Sequence, residues 1–339
     1  MLTEKELTEI REILESSQNP IYFFDGDGDG LSSYLNLKKH YKKGLGVPVK
    51  SGGPEGITSE YLKYVDEEKP DLVVILDKAV LTQEFIDKIP CQILILDHHP
   101  PIKLKKVKYY NPQLHGSNVP TSYLAYQVTK TNAWIAAIGC LFDYFIPDFL
   151  DEIKEYIEDK EYKTPGDITY NTKLGEMIKT ISFIIKGKHE DVKKSLKALE
   201  KINSLNEIFN KSTPEGKFIR ERYERLNKEY EKLLSKAKSE ATRSKLFLFI
   251  YPSQAVSFTV ELSNELCYRY PKKTIIVGRE KENKIAMSLR DQNRDISKIL
   301  EISLKGLEGY GGGHEHACGC AVSKKDFNMF IERIKQELK

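Results

Sequence analysis

Residues 22–31 read YFFDGDGDGL, so Asp25, Asp27 and Asp29 alternate with glycines directly after an apolar run. Carboxylates this close repel one another unless a cation lies among them. Two further acidic stretches match the first. Asp77 closes DLVVILD, and Asp97-His98-His99 closes QILILDHH, which holds two of the chain's seven histidines side by side. Carboxylates offer hard oxygen and imidazoles borderline nitrogen, a mixture that suits Mn²⁺ or Mg²⁺ better than the Cys- and His-rich sites of zinc. Two such ions about 3.5–4 Å apart need a carboxylate that bridges them; they would activate water and stabilise in-line attack on phosphorus. Other roles compete. An Asp/Gly turn can cap the next helix with one carboxylate, and D-x-D-x-D-G also opens calcium loops. The calcium reading fails because the run follows an apolar strand and the twelfth position from Asp25 is Asn36, not Glu.

Strands must carry these residues to one place. PIYFF (20–24), DLVVILD (71–77) and QILILDHH (92–99) are short, nearly continuous apolar runs. Such runs fit a parallel sheet covered by helices on both faces. Ligands bind beyond the carboxyl ends of strands in such sheets, where all three acidic stretches fall. Helical spacing is seen over 3–17, after the Gly-rich turn, over 121–130 and over 132–145. Residues 150–210 are helical and polar. The charged segment 215–245 is expected to be a solvated connector helix. Strand signals resume at LFLFIYP (246–252), TIIVGRE (274–280) and KIAMSLR (284–290), before a Gly-rich turn and a final helix. The expected fold class is α/β, with an N-terminal parallel-sheet domain (1–210), a helical connector (211–245) and a smaller C-terminal α/β domain (246–339).

Composition sets bounds. The chain has 339 residues, 40% hydrophobic and 30% charged, with a net charge of +3. That balance gives no global argument for nucleic acid, so any basic surface must be local. Five cysteines without a paired framework suggest a reducing, cytoplasmic setting. The N-terminus has no apolar signal core. No stretch approaches the roughly 18 apolar residues of a membrane span. Cys318 and Cys320 read as packing residues, because C-x-C without a second pair is a poor zinc signal.

Taken together, the motifs resemble those of the DHH-superfamily phosphoesterases. D-G-D-G-D-G is similar to the first motif in its RecJ-type form, VVILD to the second and ILILDHH to the third. AAIGCLFDYFIPD (136–148) resembles the fourth, A-x-G-x-x-x-D. KIAMSLRDQ (284–292) and GYGGGHEHACG (309–319) resemble the DHH-associated substrate domain, so the six matches span residues 20 to 320. The resemblance implies a DHH catalytic domain holding two ions of Mn²⁺ or Mg²⁺. Asp27 would bind one ion and Asp29 the other, Asp77 would bridge them, and His98 and Asp143 would complete the second site. Many relatives carry a metal-binding His where this chain has Phe23, and Asp25 is the substitute ligand. His99 would meet the scissile phosphate and Asp97 would orient His98; Lys78 is expected to be solvated. In the second domain, Gly311, Gly312 and Gly313 would let the backbone approach a ligand closely. Arg290 and His314 would hold a phosphate or terminal nucleotide, and Tyr310 could stack a base.

The implied function is a metal-dependent phosphodiesterase, a RecJ-like exonuclease or oligonucleotide hydrolase. Metal-activated water would release mononucleotides from single-stranded DNA or RNA, or from short oligonucleotides, with no membrane partner. Two other readings stand beside it: a dinucleotide or cyclic-dinucleotide signalling phosphodiesterase, and a non-catalytic replication scaffold related to RecJ.

Overall fold

The apolar runs that end in acids become the centre of a five-stranded sheet. A computed structural model of the chain describes residues 1–50, 56–157 and 161–339. The strands are β1 (Pro20–Asp25), β2 (Leu45–Val49), β3 (Leu72–Leu76), β4 (Gln92–Leu96) and β5 (Lys108–Tyr110). They lie in the order β2-β1-β3-β4-β5, and every pairing is parallel. Alternate side chains face opposite ways, so each strand feeds two cores. Tyr22, Phe24, Val74 and Leu96 pack on one face with α1 (Glu4–Ser16), α2 (Gly28–Tyr41), α5 (Thr121–Thr129) and α6 (Ala133–Phe142). Ile21, Phe23, Ile75 and Ile95 pack on the other with α3 (Leu62–Glu68) and α4 (Gln83–Asp87). β2 and β5 escaped the sequence reading. β2 carries Gly46 and Pro48, which an edge strand tolerates and a central strand does not. β5 is three residues long.

Four further helices follow, α7 (Pro165–Asn171), α8 (Lys173–Ile184), α9 (His189–Lys201) and α10 (Leu205–Phe209), and then the long α11 (Pro214–Ser239). The chain forms two compact units, residues 1–185 with 189–220, and residues 221–339 with 186–188. The division falls inside α11. The expectation of a solvated helix there is corrected. Ile219, Tyr223, Tyr230, Leu233, Leu234 and Ala237 are buried and recur at helical spacing. Tyr230 packs edge-on against Phe258 and donates to Glu265 Oε2 at 2.6 Å.

The second unit is built on a mixed sheet. Its elements are β6 (Leu246–Tyr251), α12 (Thr259–Arg269), β7 (Thr274–Glu280), β8 (Lys284–Arg290), α13 (Ile296–Leu304), β9 (Gly309–His314), β10 (Ala317–Ser323) and α14 (Phe327–Glu337). The order is β6-β7-β8-β10-β9, parallel only between β6 and β7. The Gly-rich segment expected as a turn is instead an edge strand. Gly311, Gly312 and Gly313 pair with Cys320, Gly319 and Cys318, and these small residues leave the backbones free to form a ladder.

Candidate metal centre

All eight N-terminal residues singled out above gather at the carboxyl ends of β1, β3 and β4 or on the helices beside them. Asp25 is the last residue of β1. Asp27 caps α2, accepting from the Gly30 amide at 3.1 Å. Gly30 must lack a side chain, because a Cβ there would run into the Asp25 backbone. Asp29 lies in the first turn of α2 and is fully buried. Its two oxygens accept from the amides of Thr121 and Ser122, at 2.8 and 2.9 Å, which open α5. A helix N-terminus favours that negative charge.

Asp77 follows β3 in a left-handed conformation, φ 59°. A non-glycine residue pays about 1–3 kcal/mol for such a backbone and keeps it only where its surroundings impose it. Its amide donates to the Leu96 carbonyl, and Thr121 Oγ1 donates to its Oδ1 at 3.3 Å. His98 Nε2 lies 3.3 Å from Asp77 Oδ1 and 3.1 Å from Asp143 Oδ2, at the carboxyl end of α6. His99 Nδ1 donates to Asp97 Oδ1 at 2.8 Å. Asp97 therefore orients His99, not His98 as expected. The next segment fixes the histidine backbone: Asn111 Nδ2 donates to the His99 carbonyl at 2.8 Å and Gln113 Nε2 to that of His98 at 2.6 Å.

The electrostatics suit a site for a cation. Burial, reinforced by Asp29 and Asp27, pushes the Asp77 carboxyl well above the usual range. Burial and the carboxylates Asp25, Asp143 and Asp29 do the same to Asp27. Burial and Asp143 raise Asp29 to about 6. Burial opposes the charged form of His98, but hydrogen bonds to Asp143 and Asp77 outweigh it and push the imidazole up to about 12. Among the described residues, two groups place their donor atoms all within 4.8 Å of one another: Asp77, His98 and His99, and Asp29, His98 and Asp143. Carboxylates with an imidazole suit a hard or borderline divalent cation.

The second unit assembles the other candidates on its mixed sheet. Arg290 and His314 both lie opposite Ala317 of β10, so they share one face of the sheet. Arg290 is held by Asn264 Oδ1 at 2.6 Å and by the carbonyls of Leu289 and Cys318. Gly311–Gly313, His314 and Tyr310 are exposed along β9, and Tyr310 lies under the Lys284 ammonium.

Comparison with known proteins shows which folds the chain resembles. Residues 257–339 match the DHHA1 domain. RecJ of Thermus thermophilus in complex with Mn²⁺ superposes with a TM-score of 0.70 at 17% identity, over 99% of this chain and 55% of that one. This chain thus spans about half the length of the Thermus protein. An exonuclease RecJ bound to manganese gives 0.64 at 16% identity, over 99% and 95%. The chain has a RecJ-like fold, and its C-terminal residues resemble a DHHA1 domain. A pGpG-specific phosphodiesterase, PggH from Vibrio cholerae, shares the fold at a TM-score of 0.53 and 13% identity, over 94% and 98%. No curated protein sequence matches the chain.

Within this RecJ-like fold, several residues at the centre had no signal in the sequence. Thr121 and Ser122 hold Asp29 through helix amides that any residue supplies. Asn111 and Gln113 act on backbone carbonyls. Lys78, expected in solvent, is instead buried, with Nζ 3.3 Å from Asp25 Oδ1 and 3.4 Å from the Lys50 carbonyl oxygen. Among the described residues no helix is long and apolar enough to cross a membrane.

Proposed function

We propose that the chain is a divalent-metal-dependent phosphodiesterase that hydrolyses single-stranded DNA or RNA, or short oligonucleotides, from an end and releases mononucleotides. The observation that carries this reading is that two groups of donor atoms, Asp77 with His98 and His99, and Asp29 with His98 and Asp143, meet at His98 beside the buried carboxylates of Asp29 and Asp77. Asp29, Asp77, His98 and Asp143 from these groups would hold the metal, with Mn²⁺ or Mg²⁺ as the ion. Bound there, a divalent cation supplies Lewis-acid activation of water and neutralises charge on the phosphoryl group.

The protein's own groups do the rest. Two α5 amides fix the Asp29 carboxylate, and the Thr121 hydroxyl and the strained backbone fix that of Asp77. Asp97 commits His99 Nδ1, so any proton exchanged with a bound phosphodiester passes through Nε2. The DHHA1 hairpin offers exposed backbone on β9, with His314 and Tyr310, to grip a strand end without reading its bases.

The test is a panel of end-labelled DNA and RNA strands, from dinucleotides upward, incubated with each metal. Stepwise release of mononucleotides from strands of about ten nucleotides, with binding that weakens as salt rises, is the expected result. Turnover confined to dinucleotides would replace the exonuclease reading with a signalling one. No turnover with either metal would leave a scaffold.

A further inference from the structure

Charge at the centre is divided unequally between two sides of the sheet tip. The left-handed turn at Asp77 sends successive residues of one loop to different neighbours. Asp77 meets His98, His99 and Thr121, on the side of β4 and α5. Lys78 turns to Asp25 at the tip of β1 and to the Lys50 carbonyl beyond β2. Its side chain is 5% exposed and that of Asp25 is 12% exposed, so this ion pair is largely shielded from water.

We propose that the centre holds one divalent ion, with the Lys78 ammonium fixed on Asp25 as a built-in cation where a second ion would otherwise sit. This rests on the metal-centre reading above and departs from the two ions expected from sequence. Three observations carry it. First, an ammonium has three donors and no lone pair. It occupies Asp25 without ligating anything, and it repels a dication brought to the same carboxylate. Asp25 cannot turn to a metal without taking the counter-charge from a buried lysine whose other contact is the neutral Lys50 carbonyl oxygen, which is unfavourable.

Second, both groups of converging donors contain His98, and its Nε2 is the atom beside Asp77 and Asp143. One ring nitrogen binds one ion. Asp25 belongs to neither group among the described residues. Third, the face of β1 that carries Asp25 offers no further donor at the preceding inward position. Phe23 is there, fully buried, its ring edge-on to Tyr61 and Phe85. Lys78 is therefore a charge-balancing residue, and the ligand set is Asp29, Asp77, His98 and Asp143, with Asp27 beside it.

The test counts ions in the full chain. Protein stripped with chelator is titrated with MnCl₂ by calorimetry, and bound manganese is measured by mass spectrometry and by electron paramagnetic resonance. One Mn²⁺ per chain with an uncoupled spectrum is expected. Two ions with a spin-coupled spectrum overturn the proposal while leaving the metal centre standing. No bound ion overturns the metal-centre reading and this proposal with it. Asp25→Asn should keep the single ion with Kd changed by no more than about threefold; loss of that ion makes Asp25 a ligand and refutes the assignment. Lys78→Met should remove the ammonium's repulsion of a dication and raise the count towards two. A folded Lys78→Met protein that still takes one ion refutes the role given to the ammonium. Should that variant fail to fold, the wild-type count and Asp25→Asn decide the question.

Discussion

The tip of the parallel sheet and the β9–β10 hairpin of the mixed sheet are both candidate sites, and they are built in opposite ways. At the sheet tip the working groups are side chains, buried, charged and fixed by neighbours: Asp29 by two amides, Asp77 by a left-handed backbone, His99 by Asp97. On the hairpin the working surface is backbone, exposed and carried on glycines. Burial strengthens electrostatics by removing water, which chemistry on a phosphodiester needs. Exposure keeps a strand accessible and indifferent to base identity, which gripping a polymer end needs. Substitutions of Asp29, Asp77, His98 or Asp143 at the sheet tip should therefore change turnover and ion binding, whereas those on the hairpin should change substrate affinity alone.

The largest expected effect is at Asp77. Asp77→Ala removes a carboxylate that contacts His98 and accepts from Thr121. Hydrolysis should fall about a thousandfold or more, equivalent to roughly 4 kcal/mol of transition-state stabilisation. Manganese binding should weaken in parallel, and affinity for a single strand should remain. A variant that keeps full turnover would remove the sheet tip from the chemistry.

Thr121 sharpens the same side. Thr121→Val deletes the hydroxyl on Asp77 Oδ1 but keeps the amide that holds Asp29. Removing such a supporting bond to a ligand typically costs about 10–100-fold in metal affinity. Titration of the variant with Mn²⁺ measures this, and an unchanged Kd would mean that the backbone alone positions Asp77.

The pH dependence follows from the direction of the shifts. Burial and the Asp143 charge raise the Asp29 carboxyl from the usual carboxylate range to about 6. A raised carboxyl binds more protons folded than unfolded. Its stabilising contribution is complete below about pH 4 and is lost as pH rises through 6, a difference of about 3 kcal/mol at most. His98, raised to about 12, acts in the same direction from near neutrality upward. Chelated protein should therefore melt lower at pH 7 than at pH 5, and the stabilisation by Mn²⁺ should grow over that range as protons leave the ligands. Calorimetric melts with and without metal check both slopes.

Parts of this were legible in the sequence for definite reasons. The central strands β1, β3 and β4 are apolar on both faces and end in acids, so pattern and chemistry pointed to the same boundaries. The edge strands were not legible, because β2 contains a proline and β5 is too short to show a period. The buried face of α11 was hidden by its many charges, although Tyr230 and Leu234 lie four residues apart on that face. At the centre, the candidate carboxylates and histidines could be read, but what holds them could not. Thr121 and Ser122 hold Asp29 through their amides, and Lys78 is buried next to the left-handed backbone at Asp77. Asp97 was paired with the wrong histidine because sequence adjacency does not say which ring turns back.

On the hairpin, Gly313 is the position most sensitive to substitution. Its φ is 149°, and a Cβ would run into the Ala317 carbonyl oxygen. Gly313→Ala should cost about 1–3 kcal/mol locally. KM for a single strand should rise, while kcat and the number of bound ions stay unchanged.

The smallest expected effect is at Tyr310. Its side chain is 65% exposed on the edge strand, so removing it leaves no cavity. The Lys284 ammonium lies 5.4 Å from the ring centroid, a contact worth about 0.5–1 kcal/mol at an exposed site. Tyr310→Ala should thus leave the melting temperature nearly unchanged. If the ring stacks a terminal base, strand affinity should drop by about 1–3 kcal/mol, whereas Tyr310→Phe should retain it, since stacking needs the ring and not the hydroxyl. Equal affinities for all three proteins would mean that the hairpin grips through backbone alone, making the contrast with the sheet tip sharper still.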